Sequence, residues 1–174
     1  MGEDLRVVKT KRAIRAAFLN LRRHQPLEKV TVLDICRDAL INKSTFYHHY
    51  RDVFELSDHL EDDVLDSCFA TFEHRDRLLT DPLTFLREVP TAIDAHKDVI
   101  DVLFSQRQDV LYAKVKSHLR AFYLTPETTP TDDVLLTFII GGALHAMQTL
   151  AIEGHHDKKM VTEESARIIS KLAS

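Results

Sequence analysis

Apolar residues along this chain recur at spacings of three and four, and no alternating run persists as a strand. The pattern predicts an all-α fold of about nine helices. A first helix is expected from about Thr10 to His24, with Ile14, Phe18 and Leu21 as its apolar stripe. Lys11, Arg12, Arg15, Arg22 and Arg23 lie around that stripe, and Gln25-Pro26-Leu27-Glu28 breaks the helix. A short second helix follows Thr31, carrying Val32, Ile35, Cys36 and Ala39 on one face. Thr31 and Asp34 stand at capping-box spacing. Leu40-Ile41 then reads as a tight turn, and Asn42 as the N-cap of a third short helix. Ile41 and Phe46 are placed to form a hydrophobic staple across that start.

Beyond Tyr50 a long helix is expected from about Asp52, with Phe54, Leu56, Leu60, Val64, Leu65, Cys68, Phe69 and Phe72 as its apolar positions. Asp81-Pro82 is a start signal, cap then first-turn proline, for a helix bearing Phe85, Leu86, Val89 and Ile93 and kinked at Pro90. Asp98 and Asp109 read as further caps, before Val99–Phe104 and Val110–Tyr123. Residues 125–130 form the clearest linker. Thr131 is expected to cap a very apolar helix ending at Gly154, a good residue to follow a helix C-terminus. A last amphipathic helix from Thr162 carries Ala166, Ile168, Ile169 and Leu172.

Composition fits this picture and narrows the function. The chain has 174 residues, 44% hydrophobic and 29% charged, with only four glycines and five prolines. That is a soluble, globular composition with few turn residues. The net charge of −4 looks unsuited to a nucleic-acid binder, but it is unevenly distributed. Residues 1–51 hold 11 Lys/Arg against 5 Asp/Glu, and residues 52–174 hold 12 against 22. A basic head on an acidic body suits a protein that presents its head to phosphates. The division predicts a DNA-binding domain at 1–51 and a second helical domain at 52–174.

The third helix has the layout of a recognition helix, which must be short, anchored by one apolar face and polar on the other. Phe46 and Tyr50 supply the anchor. Lys43, Ser44, Tyr47 and His48 share the opposite face, and Thr45 adds a second hydroxyl. Lysine can donate to guanine edges or phosphate, the hydroxyls can donate or accept, and Tyr47 can reach a phosphate oxygen. The helix starts at Thr31 and Asn42 also offer backbone N–H groups to phosphates.

Lys11–Leu56 resembles the DNA-binding domain of the TetR family of transcriptional regulators. The likeness is strongest in Thr31-Val32-Leu33-Asp34-Ile35-Cys36 and in Ile41-Asn42-Lys43-Ser44-Thr45-Phe46-Tyr47-His48-His49-Tyr50, and it covers roughly the first third of the chain. By position it implies DNA contacts at Lys43, Thr45, Tyr47 and His48, a phosphate contact at Thr31, and core roles for Phe46 and Tyr50. Two positions depart from the family. Leu40 stands where the family has glycine in the turn, and leucine tolerates a positive φ poorly. Val53 stands where the family commonly has a phosphate-contacting lysine, so that either Arg51 substitutes for that contact or the contact is absent.

The C-terminal half resembles, less closely, TetR-like regulators of the dihydroxyacetone-kinase activator type. Val134–Ile152 is nearly long enough to span a membrane. Its polar members Thr137, His145, Gln148 and Thr149, with the acidic flanks Asp132, Asp133 and Glu153, favour instead a helix buried on two sides. Gly141-Gly142 would allow close helix approach. The resemblance implies a homodimer through the last two helices. Such a dimer spaces two recognition helices about one DNA turn apart, or a multiple of it, on a palindromic operator. It also implies an effector among the body helices, for which His96, Tyr112, His118, Tyr123, His145 and Gln148 are candidate lining groups. Each of the six reads more simply as a satisfied core or surface residue.

The resulting expectation is a cytoplasmic, homodimeric repressor of transcription that binds double-stranded DNA and is released by a small-molecule effector. Activation under a protein partner is the alternative within the class. A helical interaction module without DNA binding is the alternative from another class. No P-loop, nucleophile elbow or zinc-hydrolase motif is present, so neither an enzyme nor a cofactor is expected. His155-His156-Asp157 lacks metal-ligand spacing, and the two cysteines read as free thiols. The N-terminus has no apolar signal region.

Overall fold

Residues Leu5–Arg22 form α1, which buries Ile14, Ala17, Phe18 and Arg22. The structure is a computed structural model and describes residues 5–125, 129–146, 149, 154 and 156–173. After α1 come α2 (Val32–Asp38), α3 (Lys43–His49), α4 (Val53–Ala70) and α5 (Pro82–Phe104). They are followed by α6 (Gln108–Tyr123), α7 (Pro130–Ala146) and α8 (Lys158–Leu172). Short 3-10 turns at Leu27–Lys29 and Arg75–Arg77 complete an architecture with no strand among the described residues. The fold is all-α, with eight α-helices among the described residues, close to the nine or so that periodicity implies.

The chain divides into two compact units. The first comprises residues 1–64 and 97–106. Its buried side chains include Ile14, Phe18, Leu27, Ile35, Cys36, Phe46, Leu56 and Leu103. Within it α1 packs on α2, and α2 on α3. The second comprises residues 65–96 and 107–174. Its core gathers Leu78, Phe85, Leu86, Leu119, Leu136, Ile139, Ile140, Ala166 and Ile169. There α7 packs on both α6 and α8. Arg120 of α6 ties α6 to α7: its guanidinium clasps Asp133 with both terminal nitrogens and donates to Thr137 Oγ1 at 2.7 Å.

The turn between α2 and α3 fixes how α3 is presented. Ile41 N–H donates to the Cys36 carbonyl at 3.0 Å, and Leu40 N–H to the Arg37 carbonyl at 3.3 Å. These are the paired bonds of a Schellman ending, which needs a left-handed residue at the position Leu40 occupies. Leu40 adopts φ 56 there. For an L-residue with a Cβ that conformation costs about 1–2 kcal/mol, and the leucine gains no burial in return, being 91% exposed.

Several expected boundaries move. Asp98 is not a cap, because α5 continues unbroken from Pro82 to Phe104 and passes through it. Asp109 lies in the first turn of α6, whose N-cap position is held by Arg107. The start of α7 is capped by Thr129, not Thr131. Thr129 Oγ1 accepts the Asp132 N–H at 3.2 Å, and Asp132 Oδ2 accepts the Thr129 N–H at 3.0 Å. Pro130 takes the first helical position, where its missing N–H is no loss. The last helix starts not at Thr162 but at Lys158, capped by Asp157, whose Oδ1 accepts the Lys159 and Met160 N–H groups. Thr162 is buried within it. Phe54 and Ile168, expected on apolar faces, are 58% and 56% exposed. Gly154 does take a left-handed φ of 81, while the helix end expected just before it lies outside the described residues.

Candidate nucleic-acid interface

Local capping chemistry builds both short helices of the first unit. At α2, Thr31 Oγ1 accepts the Asp34 N–H at 3.2 Å and its hydroxyl donates to Asp34 Oδ2 at 2.6 Å. At α3, Asn42 Oδ1 accepts from the Thr45 N–H at 2.7 Å, the Ser44 hydroxyl at 2.7 Å and the Thr45 hydroxyl at 2.8 Å. The first turn of α3 is thereby pinned on one oxygen.

Phe46 is the anchor, with none of its surface exposed. The Tyr47 ring meets it edge-on at 5.6 Å, and the Tyr50 ring lies 5.9 Å from it. Tyr50 also packs edge-on against His59 at 5.9 Å. Burial pushes the Tyr50 phenol above its ordinary pKa, although Lys11 and Arg15 pull the other way. On the opposite face Lys43, Ser44 and His48 are exposed, and Tyr47 is 56% exposed. Asn42 and Thr31 are exposed at the two helix starts, and Thr45 is half-buried. The structure thus brings Asn42, Lys43, Ser44, Thr45, Tyr47 and His48 together on α3 and its cap, with Thr31 opening the neighbouring helix.

The positive charge of this unit is partly engaged internally. Arg37 pairs with Asp34 at 3.1 Å and Asp38 at 3.4 Å, and Arg15 approaches Asp63 at 3.9 Å. Arg51 lies 3.4 Å from Asp52, with its side chain 80% exposed. Exposed pairs of this kind are weak and readily exchanged for another anion. Val53 is buried, so it offers no side chain to the surface at the start of α4.

Arg22 departs from the peripheral place that periodicity gives it. It is buried rather than peripheral, and its guanidinium donates to the backbone carbonyls of Gln25 at 2.8 Å, Val102 at 3.2 Å and Leu103 at 3.4 Å. The signal was its position four residues beyond Phe18, on the buried stripe. The contact caps the C-terminal turn of α5, where carbonyls lack helical partners and the helix dipole favours a cation.

The candidate effector residues that the structure describes each have local partners or exposure of their own. His96 bonds the Ala92 carbonyl through Nδ1 at 3.1 Å. His118 stacks on Phe69 and bridges the Lys114 carbonyl at 2.9 Å to Asp66 at 3.1 Å. Tyr123 accepts the Leu78 N–H at 2.9 Å and donates to the Arg75 carbonyl, and burial pushes its phenol up to about 12. The Tyr112 hydroxyl lies over Gly141, where an added Cβ would stand 2.9 Å away. Gly141 therefore makes room for that ring, and Gly142 faces open space. His145 is exposed, and Gln148 lies outside the described residues. An open groove along α6 is lined by Ala113, Lys116, Ser117, Arg120, Ala121 and Leu124, a set containing none of the six. Among the described residues no helix is long and apolar enough to cross a membrane, and no group of three His, Cys, Asp or Glu side chains is placed to hold a metal ion.

No protein-family profile matches the chain. A stretch of 72 residues, 41% of the chain, is 38% identical to part of YxbF, an uncharacterized HTH-type transcriptional regulator of Bacillus subtilis (strain 168). The match spans 18% of that protein's length. Over this stretch the chain is similar to a helix-turn-helix type of transcriptional regulator.

Proposed function

We propose that the chain is a sequence-specific, TetR-like DNA-binding regulator of transcription. The observation that carries this reading is α3: a wholly buried Phe46 on one side and exposed Lys43, Ser44, Tyr47 and His48 on the other. The similarity to part of an HTH-type regulator supports the same conclusion. Thr31 and Arg51 serve as phosphate contacts, and the α3 side chains read base edges in the major groove.

The active form is a homodimer on a palindromic operator. Support comes from α7 and α8, which expose Val134 (70%), Phe138 (69%), Ile168 (56%) and Leu172 (42%). Val134 and Phe138 stand one helical turn apart and so share a face. Large apolar side chains clustered in this way commonly mark an interaction surface. Repression relieved by a small-molecule effector is the mode implied by the family resemblance.

Gel-shift titration of the full chain on DNA from its own promoter region tests the reading. Lys43→Ala and Tyr47→Ala should each weaken specific binding at least tenfold. Log affinity should fall linearly with log salt, with a slope of about −0.9 for each phosphate neutralised. Weak binding left unaltered by both substitutions would overturn it.

A further inference from the structure

We propose that Leu40 is a specificity-determining residue of the recognition surface, packing its isobutyl group against a thymine C5-methyl at the edge of each half-site. The inference rests on the DNA-binding reading above. Among the described residues Leu40 is the most exposed large apolar side chain, at 91%. It also occupies a left-handed backbone position, φ 56, where glycine would fit without strain. Neither the core nor the turn gains anything from the side chain. Leu33 and Phe54 are also exposed, but each sits on an ordinary helical backbone.

The placement is rigid and close to the reading helix. The Leu40 and Ile41 N–H groups are bound to the Arg37 and Cys36 carbonyls, and two residues later Asn42 caps α3. Leu40 lies within three residues of Lys43, at most about 11 Å of extended chain, or roughly three base-pair steps. An isobutyl group has no hydrogen-bond donor, so it cannot take a phosphate. The apolar feature that DNA presents in the major groove is the thymine methyl, and an aliphatic side chain recognises it by contact.

The test is parallel selection from a random-sequence double-stranded DNA library by full-length wild type, Leu40→Gly and Leu40→Ala. A Lys43→Ala/Tyr47→Ala double variant serves as the control. Wild type should enrich sites with a thymine preference at one position per half-site, and both Leu40 variants should lose it. Replacing that thymine by deoxyuridine, which lacks only the methyl, should weaken wild-type binding roughly three- to tenfold and leave both variants unchanged. Loss in Leu40→Gly alone would assign the effect to backbone geometry and overturn the proposal. Unchanged base preferences in both variants would also overturn it, leaving Leu40 to a protein partner. If wild type enriches nothing beyond the double-variant control, the DNA-binding reading fails and this inference fails with it.

Discussion

The Arg22 guanidinium, buried at the end of α1, donates to the backbone carbonyl of Val102, 80 positions further along the chain, at 3.2 Å. It meets the Leu103 carbonyl as well, so one side chain holds the last turn of α5 within the unit that carries α2 and α3. Arginine suits this place because its planar fork reaches several carbonyls together, which a lysine ammonium on a flexible stem does less well.

Arg22→Ala should therefore destabilise the protein by about 2–4 kcal/mol, the scale of losing charge-assisted hydrogen bonds and leaving buried carbonyls unpaired. Arg22→Lys should recover less than half of that. Urea unfolding measures both, and a loss below about 0.5 kcal/mol for Arg22→Ala would contradict the buried-cap role.

At Leu40 the sign reverses. Leu40→Gly relieves the left-handed strain but loosens the unfolded chain, and the net should be a gain of about 0.5–1 kcal/mol. Thermal unfolding of the variant should move to higher temperature. A lower midpoint would mean that the exposed leucine stabilises the fold through some contact of its own.

Acid should weaken the fold in a defined window. Asp133 is held below the usual carboxylate range chiefly by its hydrogen bond from Arg120, Asp132 by the Thr129 hydroxyl, and Asp81 by the Thr84 hydroxyl. Burial would raise the Glu88 carboxyl, but hydrogen bonds from His74 outweigh it and hold it low. A carboxyl whose folded pKa is depressed stabilises the fold above its unfolded value, about 3.9 for Asp and 4.3 for Glu, and loses that contribution as pH falls through the folded value. The contribution of these carboxylates should be complete above about pH 5 and be lost below about pH 4. Asp133→Asn should make that fall shallower, and an equally steep fall in the variant would exclude the Arg120 pairing as a contributor.

Both cysteines are buried, and burial pushes their thiols above the usual pKa, with Lys43 only partly offsetting this at Cys36. The thiolate is the reactive form. Ellman's reagent should therefore label neither cysteine in the native protein at neutral pH, and both in urea. Rapid labelling of native protein would show that one of the two helices opens readily.

Gly141 and Tyr112 should be coupled. Alanine favours a helix over glycine by about 1 kcal/mol, but in the wild type the new methyl would meet the Tyr112 hydroxyl. Gly141→Ala should stabilise a Tyr112→Phe background more than the wild type. A double-mutant cycle that closes to zero would dissociate the two positions.

Some of these features were readable from residue order and others were not. Thr31, Asn42 and Asp81 act as the caps their types predict, because capping is a contact across three residues and needs no tertiary partner. Asp98, expected as a cap, and Thr162, expected as a helix start, instead sit inside helices sustained by their apolar neighbours. At α7 the proline was the better guide: Pro130 takes the first helical turn, which leaves Thr129, not Thr131, as the cap. Exposure of Phe54 and Ile168 was hidden because periodicity gives a face but not what covers it. Arg22 was hidden for the converse reason, since a charged residue on an apolar stripe is read as surface unless its distant carbonyl partners, Val102 and Leu103, are in view. The polar chemistry of His96, His118 and Tyr123 can be read in sequence, whereas the partners each takes, Ala92, Asp66 and Leu78 among them, depend on how the helices pack.

The Asn42 side chain orients the hydroxyl protons in the first turn of α3. Its carboxamide oxygen accepts the hydrogens of both Ser44 and Thr45, so each hydroxyl turns only lone pairs outward. On the DNA-binding reading these two positions favour exocyclic amino groups, adenine N6 or cytosine N4, over the carbonyl edges of guanine and thymine. Asn42→Asp would preserve that polarity, while Asn42→Ala would free both hydroxyls to rotate and blur the choice of base.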